Sequence, residues 1–311
     1  MGVTLNQKNQ NLKPENNLIL LRLSNPPRKN LCFSNAVASC LLNIQPIKNV
    51  ILDSRNCNQN LKPITKELGK LARLDNFSEA STKKLRAIVK LKCFESGQLS
   101  KEFDNNEQHD SGEFMQSLFE HFQNEHEDRN ESLIENLFGG ISQDILSCCC
   151  GNRVELAPQH MSQIIPIQII GQSVQNGLEE IFNADTISWE CPKCHSLTVE
   201  KRLSIVQEPR TLILQLMRYS FDAAKNEASK VTDPVASPNN ILLPNGTSYS
   251  LHSVINHIGE ETNSGHYNVI LHDKYANNFV LLDDSNISIL NDSHDMNDLS
   301  YIFIYIKDFD M

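Results

Sequence analysis

From Cys32 onward the apolar positions Val37, Cys40, Leu41 and Ile44 recur at three- and four-residue steps, the spacing of one buried helix face. The break Asn25-Pro26-Pro27 just upstream places Cys32 at or near the helix N-terminus. Residues 61–74 and 81–94 repeat the pattern between solvated charges, and a further helix begins near Asp110, with Phe114, Leu118 and Phe122 on one face and Met115 and Phe119 beside it. After Leu137 the character changes. Residues 163–170, 202–206, 211–219, 267–272, 278–282 and 301–306 are rich in β-branched and aromatic residues and bounded by turn formers, which predicts strands. A helical first half and a strand-rich second half define an α+β fold with its site where the halves meet. Residues 1–24 read as a flexible lead-in whose one apolar run, 18–23, suits an edge strand, and 223–244 as a mobile loop or insertion. No internal repeat is present.

The chain has 311 residues and a mass of 35.2 kDa, enough for one large domain or two ordinary ones. Its 28 Lys and Arg against 38 Asp and Glu give a net charge of −10, which speaks against nucleic acid or an anionic membrane as partner and for a partner with a basic face. No apolar run approaches the ~20 residues of a membrane span, and no charged-then-apolar signal opens the chain, so an intracellular protein of cytoplasm and/or nucleus is expected. Met1-Gly2 nearly begins a myristoylation signal, but Asn6 stands where Ser or Thr is needed. The Asn-Xaa-Ser/Thr triplets, such as Asn76-Phe-Ser78, follow from composition. Nine cysteines, an odd number, are read for nucleophile and metal roles before disulfides.

A thiolate at a helix N-terminus is stabilised by unpaired amides and the helix dipole, and Arg28 and Lys29 add positive charge, so Cys32 suits a nucleophile; the bland alternative is a packed small hydrophobe. A base and an orienting acid would come from afar. His266 lies where a Gly- and Asn-containing loop enters a strand, and Asp283 ends the next strand, so a hairpin would bring the two within hydrogen-bonding range. Equally, His266 could be one of ten surface histidines and Asp283-Asp284 a polar turn; periodicity does not decide.

Four segments read together do decide. Lys29-Asn30-Leu31-Cys32-Phe33-Ser34-Asn35-Ala36, Gln108-His109-Asp110-Ser111-Gly112-Glu113-Phe114, the strand from Pro209 through Leu212, Ile213, Leu216 and Arg218 to Tyr219, and Tyr249 through His257, Gly259 and Gly265-His266-Tyr267 to Asp283-Asp284 resemble, in order, the motifs of the ubiquitin-specific proteases. The resemblance runs from about Asn25 to Tyr305. It implies a papain-like cysteine protease with Cys32 as nucleophile, His266 as general base and acid, Asp283 as orienting acid, and Asp284 and Asn30 assisting. The implied reaction is thiol-dependent hydrolysis at the C-terminal glycine of ubiquitin, on ubiquitinated proteins, without a catalytic cofactor. The substrate's arginine-bearing tail would meet Asp110 and Glu113, with Gln108 and Tyr267 as further substrate contacts. The family's architecture is a right hand, here a catalytic domain 25–311 with a helical thumb at 25–123 and β-rich fingers and palm at 124–311. The loop 259–264 would gate the cleft.

There are departures. Pro27 stands where the family has an Asn that helps bind the oxyanion, Lys29 where it has Gly, and Phe279 where it has Trp. Loss of one oxyanion donor costs ~10²–10³ in rate, so a slow enzyme, a ubiquitin-binding scaffold, or a protease for another ubiquitin-like modifier are the alternatives. Cys191-Pro-Lys-Cys194 has the spacing of a zinc knuckle, and the family's second Cys-Xaa-Xaa-Cys reads here Ser147-Cys148-Cys149-Cys150. A structural zinc on Cys148, Cys150, Cys191 and Cys194 is the resulting expectation.

Overall fold

The structure, a computed structural model, describes residues 3–4, 18–53, 62–74, 78–95, 103, 105–126, 133–222, 226–261, 264–290 and 299–308. Helices α1 (Cys32–Leu41), α2 (Gln45–Leu52), α3 (Pro63–Ala72), α4 (Lys83–Glu95), α5 (Ser111–Asn124) and α6 (Leu133–Phe138) come first, with short strands β1 (Val3–Thr4), β2 (Arg22–Leu23) and β3 (Glu79–Ala80) among them. Then follow β4 (Ile141–Ser147), β5 (Arg153–Glu155), β6 (Gln159–His160), β7 (Ile164–Ile167), α7 (Val174–Glu180), β8 (Asp185–Ser188), β9 (Thr198–Gln207), β10 (Thr211–Leu216), β11 (Tyr219–Asp222) and β12 (Glu227–Lys230). The chain closes with β13 (Asn240–Leu242), β14 (Ser248–Ile258), β15 (His266–Asp273), β16 (Asn278–Asp283), β17 (Asn286–Leu290) and β18 (Ser300–Lys307).

The main sheet runs β1-β17-β16-β15-β14-β18-β10-β7, with β13 also paired to β14, and is antiparallel except between β10 and β7. Both of its faces are covered, which is why β18 reads as an unbroken apolar run rather than an alternation. Ile302 and Ile304 point into a core shared with the helices, through Phe33, Val37, Phe114 and Phe119; Phe303 and Tyr305 point into a second core closed by Val174 and Leu178 of α7. Every residue of α1 is buried, and the helix lies against β14, β15 and β16. Each fully buried apolar side chain there contributes ~1.5–3 kcal/mol. A separate sheet, β5-β4-β9-β8 with β6 on β4, has only a small core around Leu146, Cys148, Cys191 and Val199.

Several expectations change. The run 18–23 yields only a two-residue strand, paired in parallel with β3, yet Leu21 and Leu23 are 3% and 1% exposed, so this end of the lead-in is part of the core. Apolar residues that find a groove are fixed whatever the polarity of their neighbours. Val3 and Thr4 pair with Ile289 and Ser288; the rest of the lead-in, residues 1–2 and 5–17, lies outside the described residues. The segment 223–244 is no free loop: it contains β12 and β13 and buries Val235, Ile241 and Leu243, while 223–225 lie outside the description. Helix α6 extends the helical layer past residue 123, and α7 sits amid strands. Strand β14 combines a mixed polar sequence with near-complete burial, which hid it from a hydrophobic-pattern reading.

Candidate active site

Cys32 is the first residue of α1 and is 4% exposed. Its N-cap, Leu31, has no side-chain oxygen to offer, so the first-turn N–H groups carry no side-chain cap and face whatever anion forms at the thiol. His266 opens β15; its Nε2 donates to Asp283 Oδ1 at 2.5 Å, which leaves Nδ1 as the ring nitrogen available to the nearby Cys32 thiol. The hairpin register pairs Val269 with Leu282, so His266 lies beyond the last β15–β16 pair and Asp283 reaches it along the strand rather than straight across. The Asp283 and Cys32 contacts push the imidazole up to about 10 against the opposing effect of burial. The three residues are thus brought together as the sequence suggested.

Asp284 does something different. Its Oδ1 accepts from Asn35 Nδ2 at 2.8 Å and its Oδ2 from Asn25 Nδ2 at 2.9 Å, while Oδ2 stands 4.0 Å from His266 Nε2. Asn25 Oδ1 in turn accepts from Leu31 N at 2.9 Å, tying the acid turn to the residue before the nucleophile. Asn30, expected to assist, instead donates from Nδ2 to Asn106 O at 2.8 Å and sits at φ 48. Its hydrogen bond therefore fixes the turn rather than serving the reacting centre. Positive φ falls on Arg28 and Asn30 and not on Lys29, so the glycine missing there is not needed. Arg86, buried over the Phe33 ring, donates to the carbonyls of Phe103, Asn105 and Lys29 and props the same turn. Asn25 and Asn35 stood in or beside the cysteine motif without this role being readable from it, and Arg86 had no signal that separated it from ordinary polar residues.

The expected substrate carboxylate Asp110 is engaged inside the protein. Its Oδ1 caps α5 by accepting from Gly112 N at 2.8 Å and Glu113 N at 3.0 Å, and its Oδ2 accepts from Tyr301 OH at 2.8 Å and Tyr267 OH at 3.3 Å. Burial raises its pKa despite these bonds. Tyr267 is 5% exposed and is pushed well above the usual tyrosine range, mainly by burial. Its hydroxyl therefore serves Asp110. Glu113 is exposed, and Gln108 accepts from Gly265 N through Oε1, linking the segment before α5 to the entry of β15. His257, pushed down to about 4 mainly by burial, has Nδ1 2.9 Å from Lys230 Nζ and 2.8 Å from Tyr219 OH. Lys230 also donates to the carbonyls of His257 and Gly259, so the β11–β12 hairpin is tied to the start of the loop 259–264, of which 262 and 263 lie outside the described residues.

Away from this site, Cys148, Cys150, Cys191 and Cys194 present four sulfurs that all lie within 4.8 Å of one another, with Cys148 Sγ to Cys194 Sγ 3.5 Å and Cys150 Sγ to Cys191 Sγ 3.7 Å. Four thiolates around zinc at ~2.3 Å give sulfur–sulfur spacings of this order. The Cys-Xaa-Cys spacing works because Gly151, at φ 78, closes a turn in which its N–H donates to Cys148 O. Cys191, despite burial, is held down to about 6 by the backbone N–H groups of Lys193 and Cys194; Cys194, despite the Ser196 N–H, is pushed up to about 12 by Cys148 and Cys150. The cluster can hold a structural metal ion, and the catalytic residues need no cofactor.

The family model for ubiquitin carboxyl-terminal hydrolase matches residues 23–305, and the chain belongs to that family. It is 24% identical over 307 residues to ubiquitin carboxyl-terminal hydrolase 17-like protein B of Mus musculus, covering 91% of this chain and 63% of the relative. It is 25% identical over 274 residues to the probable ubiquitin carboxyl-terminal hydrolase 16 of Schizosaccharomyces pombe, covering 76% and 56%. The chain thus spans between about half and two thirds of these relatives. Among solved structures, the SAGA Ubp8/Sgf11/Sus1/Sgf73 DUB module bound to ubiquitin aldehyde superposes with a TM-score of 0.78 at 18% identity, over 96% of this chain and 71% of that one. The α+β papain-like fold of the ubiquitin-specific proteases is therefore the fold of this chain.

Proposed function

We propose that this chain is a thiol-dependent deubiquitinase that cleaves the peptide or isopeptide bond at the C-terminal glycine of ubiquitin. The observation that carries the reading is the His266–Asp283 hydrogen bond set beside Cys32 at the uncapped N-terminus of α1. The Cys32 thiolate attacks the glycine carbonyl carbon, and the developing oxyanion meets the first-turn N–H groups of α1. His266 gives its Nδ1 proton to the departing amine, leaving a thioester on Cys32. Neutral His266 then takes a proton from water as it attacks the thioester, and free ubiquitin leaves with the thiolate restored. Asp283 holds the imidazole through Nε2 in both halves.

Helices α1 to α6 would form the thumb, the main sheet the palm and the β5-β4-β9-β8 sheet the fingers, closed by a zinc ion on Cys148, Cys150, Cys191 and Cys194. The free cysteines suit a reducing intracellular compartment. Ubiquitin and ubiquitinated proteins are the partners this reading implies. Among the described residues no helix is long and apolar enough to cross a membrane.

One observation favours a second reading, a slow enzyme or a ubiquitin reader. Pro27 has no amide to offer an oxyanion, and the Asn25 amide is spent on Asp284. Reaction with ubiquitin carrying a C-terminal thiol-reactive warhead tests both. Labelling mapped to Cys32 and lost in Cys32→Ala supports the enzyme; retained ubiquitin binding without labelling supports the reader.

A further inference from the structure

The acids of the site sit on a two-residue turn, Asp284-Ser285, between β16 and β17, where Asp283 pairs with Asn286. Asp284 has φ 54, a conformation that strains a non-glycine residue and persists only where the surroundings over-determine it. Four hydrogen bonds converge on the turn. Leu23 N donates to Asp284 O at 3.1 Å, Arg22 Nη1 to Ser285 O at 2.8 Å, Asn25 Nδ2 to Asp284 Oδ2 at 2.9 Å and Asn35 Nδ2 to Asp284 Oδ1 at 2.8 Å. Three of the four donors belong to one short stretch, Arg22 to Asn25. That stretch is anchored independently of the turn, by the buried Leu21 and Leu23 and by Ser24 N donating to Ala80 O at 2.7 Å.

We propose that residues 22–25 form a strap that positions the active site, with Arg22 as its positioning residue: by fixing the carbonyl of Ser285 it sets the angle at which Asp283 meets His266. The proposal rests on the catalytic assignment of Cys32, His266 and Asp283 and not on ubiquitin as substrate. The Arg22 bond is charge-assisted and bridges the far side of the turn from the two asparagine amides, so without it the strained residue can relax toward negative φ. Asp283 moves with it, and small displacements of a catalytic contact are costly in rate.

The charged and titratable groups facing His266 are Cys32 from α1, Asp283 and Asp284 from the turn and His257 from β14. Removing the Arg22 cation through space alone would make His266 bind its proton more tightly, whereas loss of the Asp283 contact makes it bind less tightly. The two mechanisms therefore predict opposite signs. The experiment is an imidazole-nitrogen NMR titration of His266 together with the alkylation rate of Cys32 by chloroacetamide at pH 6, where an ordinary thiol is almost entirely protonated. In R22Q the proton affinity of His266 and the alkylation rate each fall about tenfold, with the melting temperature within a degree or two of wild type, and R22K recovers most of the loss. R22M keeps the aliphatic stem and guards against a folding failure of R22Q. A titration that stays put or moves upward, or an unchanged alkylation rate, overturns the proposal. Neither reading uses ubiquitin, so a wrong substrate assignment would show in the warhead experiment and leave these measurements intact.

Discussion

His266 shows how two neighbours set one residue's chemistry. Because the hydrogen bond it donates to Asp283 and the neighbouring Cys32 thiol raise its pKa, the protonated imidazole is favoured in the folded chain. The stabilisation this lends is fully present below the ordinary histidine value of ~6.5 and is lost as pH rises through about 10. Turnover of a ubiquitin C-terminal reporter should accordingly keep its alkaline limb near pH 10, and Asp283→Asn should move that limb down while lowering kcat more than it changes KM; an unmoved limb would mean Asp283 is not the group that holds the proton. Cys32, His266 and Asp283 stood out in the sequence for their surroundings, a thiol after a proline break, a histidine after glycine at a strand start and an acid at a strand end, but these left bland readings open until the motifs around them were read together. Asp110 was legible as important but not in kind. An aspartate before a helix reads equally as cap and as substrate contact, and only the two tyrosine hydroxyls, from residues far away in the chain, show how fully its carboxylate is used inside the protein.

At the scale of elements, Asp110 joins the start of α5 to β15 and β18. Asp110→Ala removes a cap worth about 1 kcal/mol and takes away the acceptor of two tyrosine hydroxyl protons at about 1 kcal/mol each, although Tyr301 OH still accepts from Gln215 Nε2. Urea unfolding should show a loss of about 3 kcal/mol, and a loss under 1 kcal/mol would mean the tyrosines find other partners. The entry of β15 is equally constrained. A Cβ added at Gly265 would stand 2.3 Å from His257 Nε2 and 2.6 Å from Ile258 O, and the carbonyl belongs to the paired strand and cannot step aside. Gly265→Ala should therefore shift His266 and lower Cys32 alkylation at pH 6 by an order of magnitude or more, with wild-type rates arguing that the strand yields. The strand and helix periods foretold α1, α3, α5, β10, β15, β16 and β18, whose burial follows one face or both. They did not foretell β3 or β11 to β13, which are two to four residues long and owe their form to tertiary contacts that leave no period.

Across the whole molecule, the two sheets differ in what holds them. The main sheet is sandwiched between two extensive cores, while the β5-β4-β9-β8 sheet has a four-residue core, two of whose members are the cysteines Cys148 and Cys191. A structural zinc would supply what that sheet lacks in apolar burial. Metal analysis of the purified chain should find one zinc per molecule; chelation should open residues 141–207 to hydrogen exchange and proteolysis and leave Cys32 alkylation at pH 6 unchanged. Protection that survives chelation would mean that the thiols pack without an ion. The overall α+β arrangement was readable from the switch in pattern near Leu137, but not the path of residues 18–25 across to the acid turn, since nothing in a sequence marks which distant carbonyls a strand will meet.

The order β14-β18-β10 puts the final described strand in the middle of the sheet, between partners laid down some fifty and ninety residues earlier. During synthesis those partners leave the ribosome with their facing edges bare, and β14 and β10 stay unjoined until residues 300–307 emerge. The nascent chain therefore holds a thiol nucleophile, a histidine and an acid without the scaffold that aligns them. A product ended before residue 300 would leave the facing edges of β14 and β10 unpaired, a template for wrong pairing.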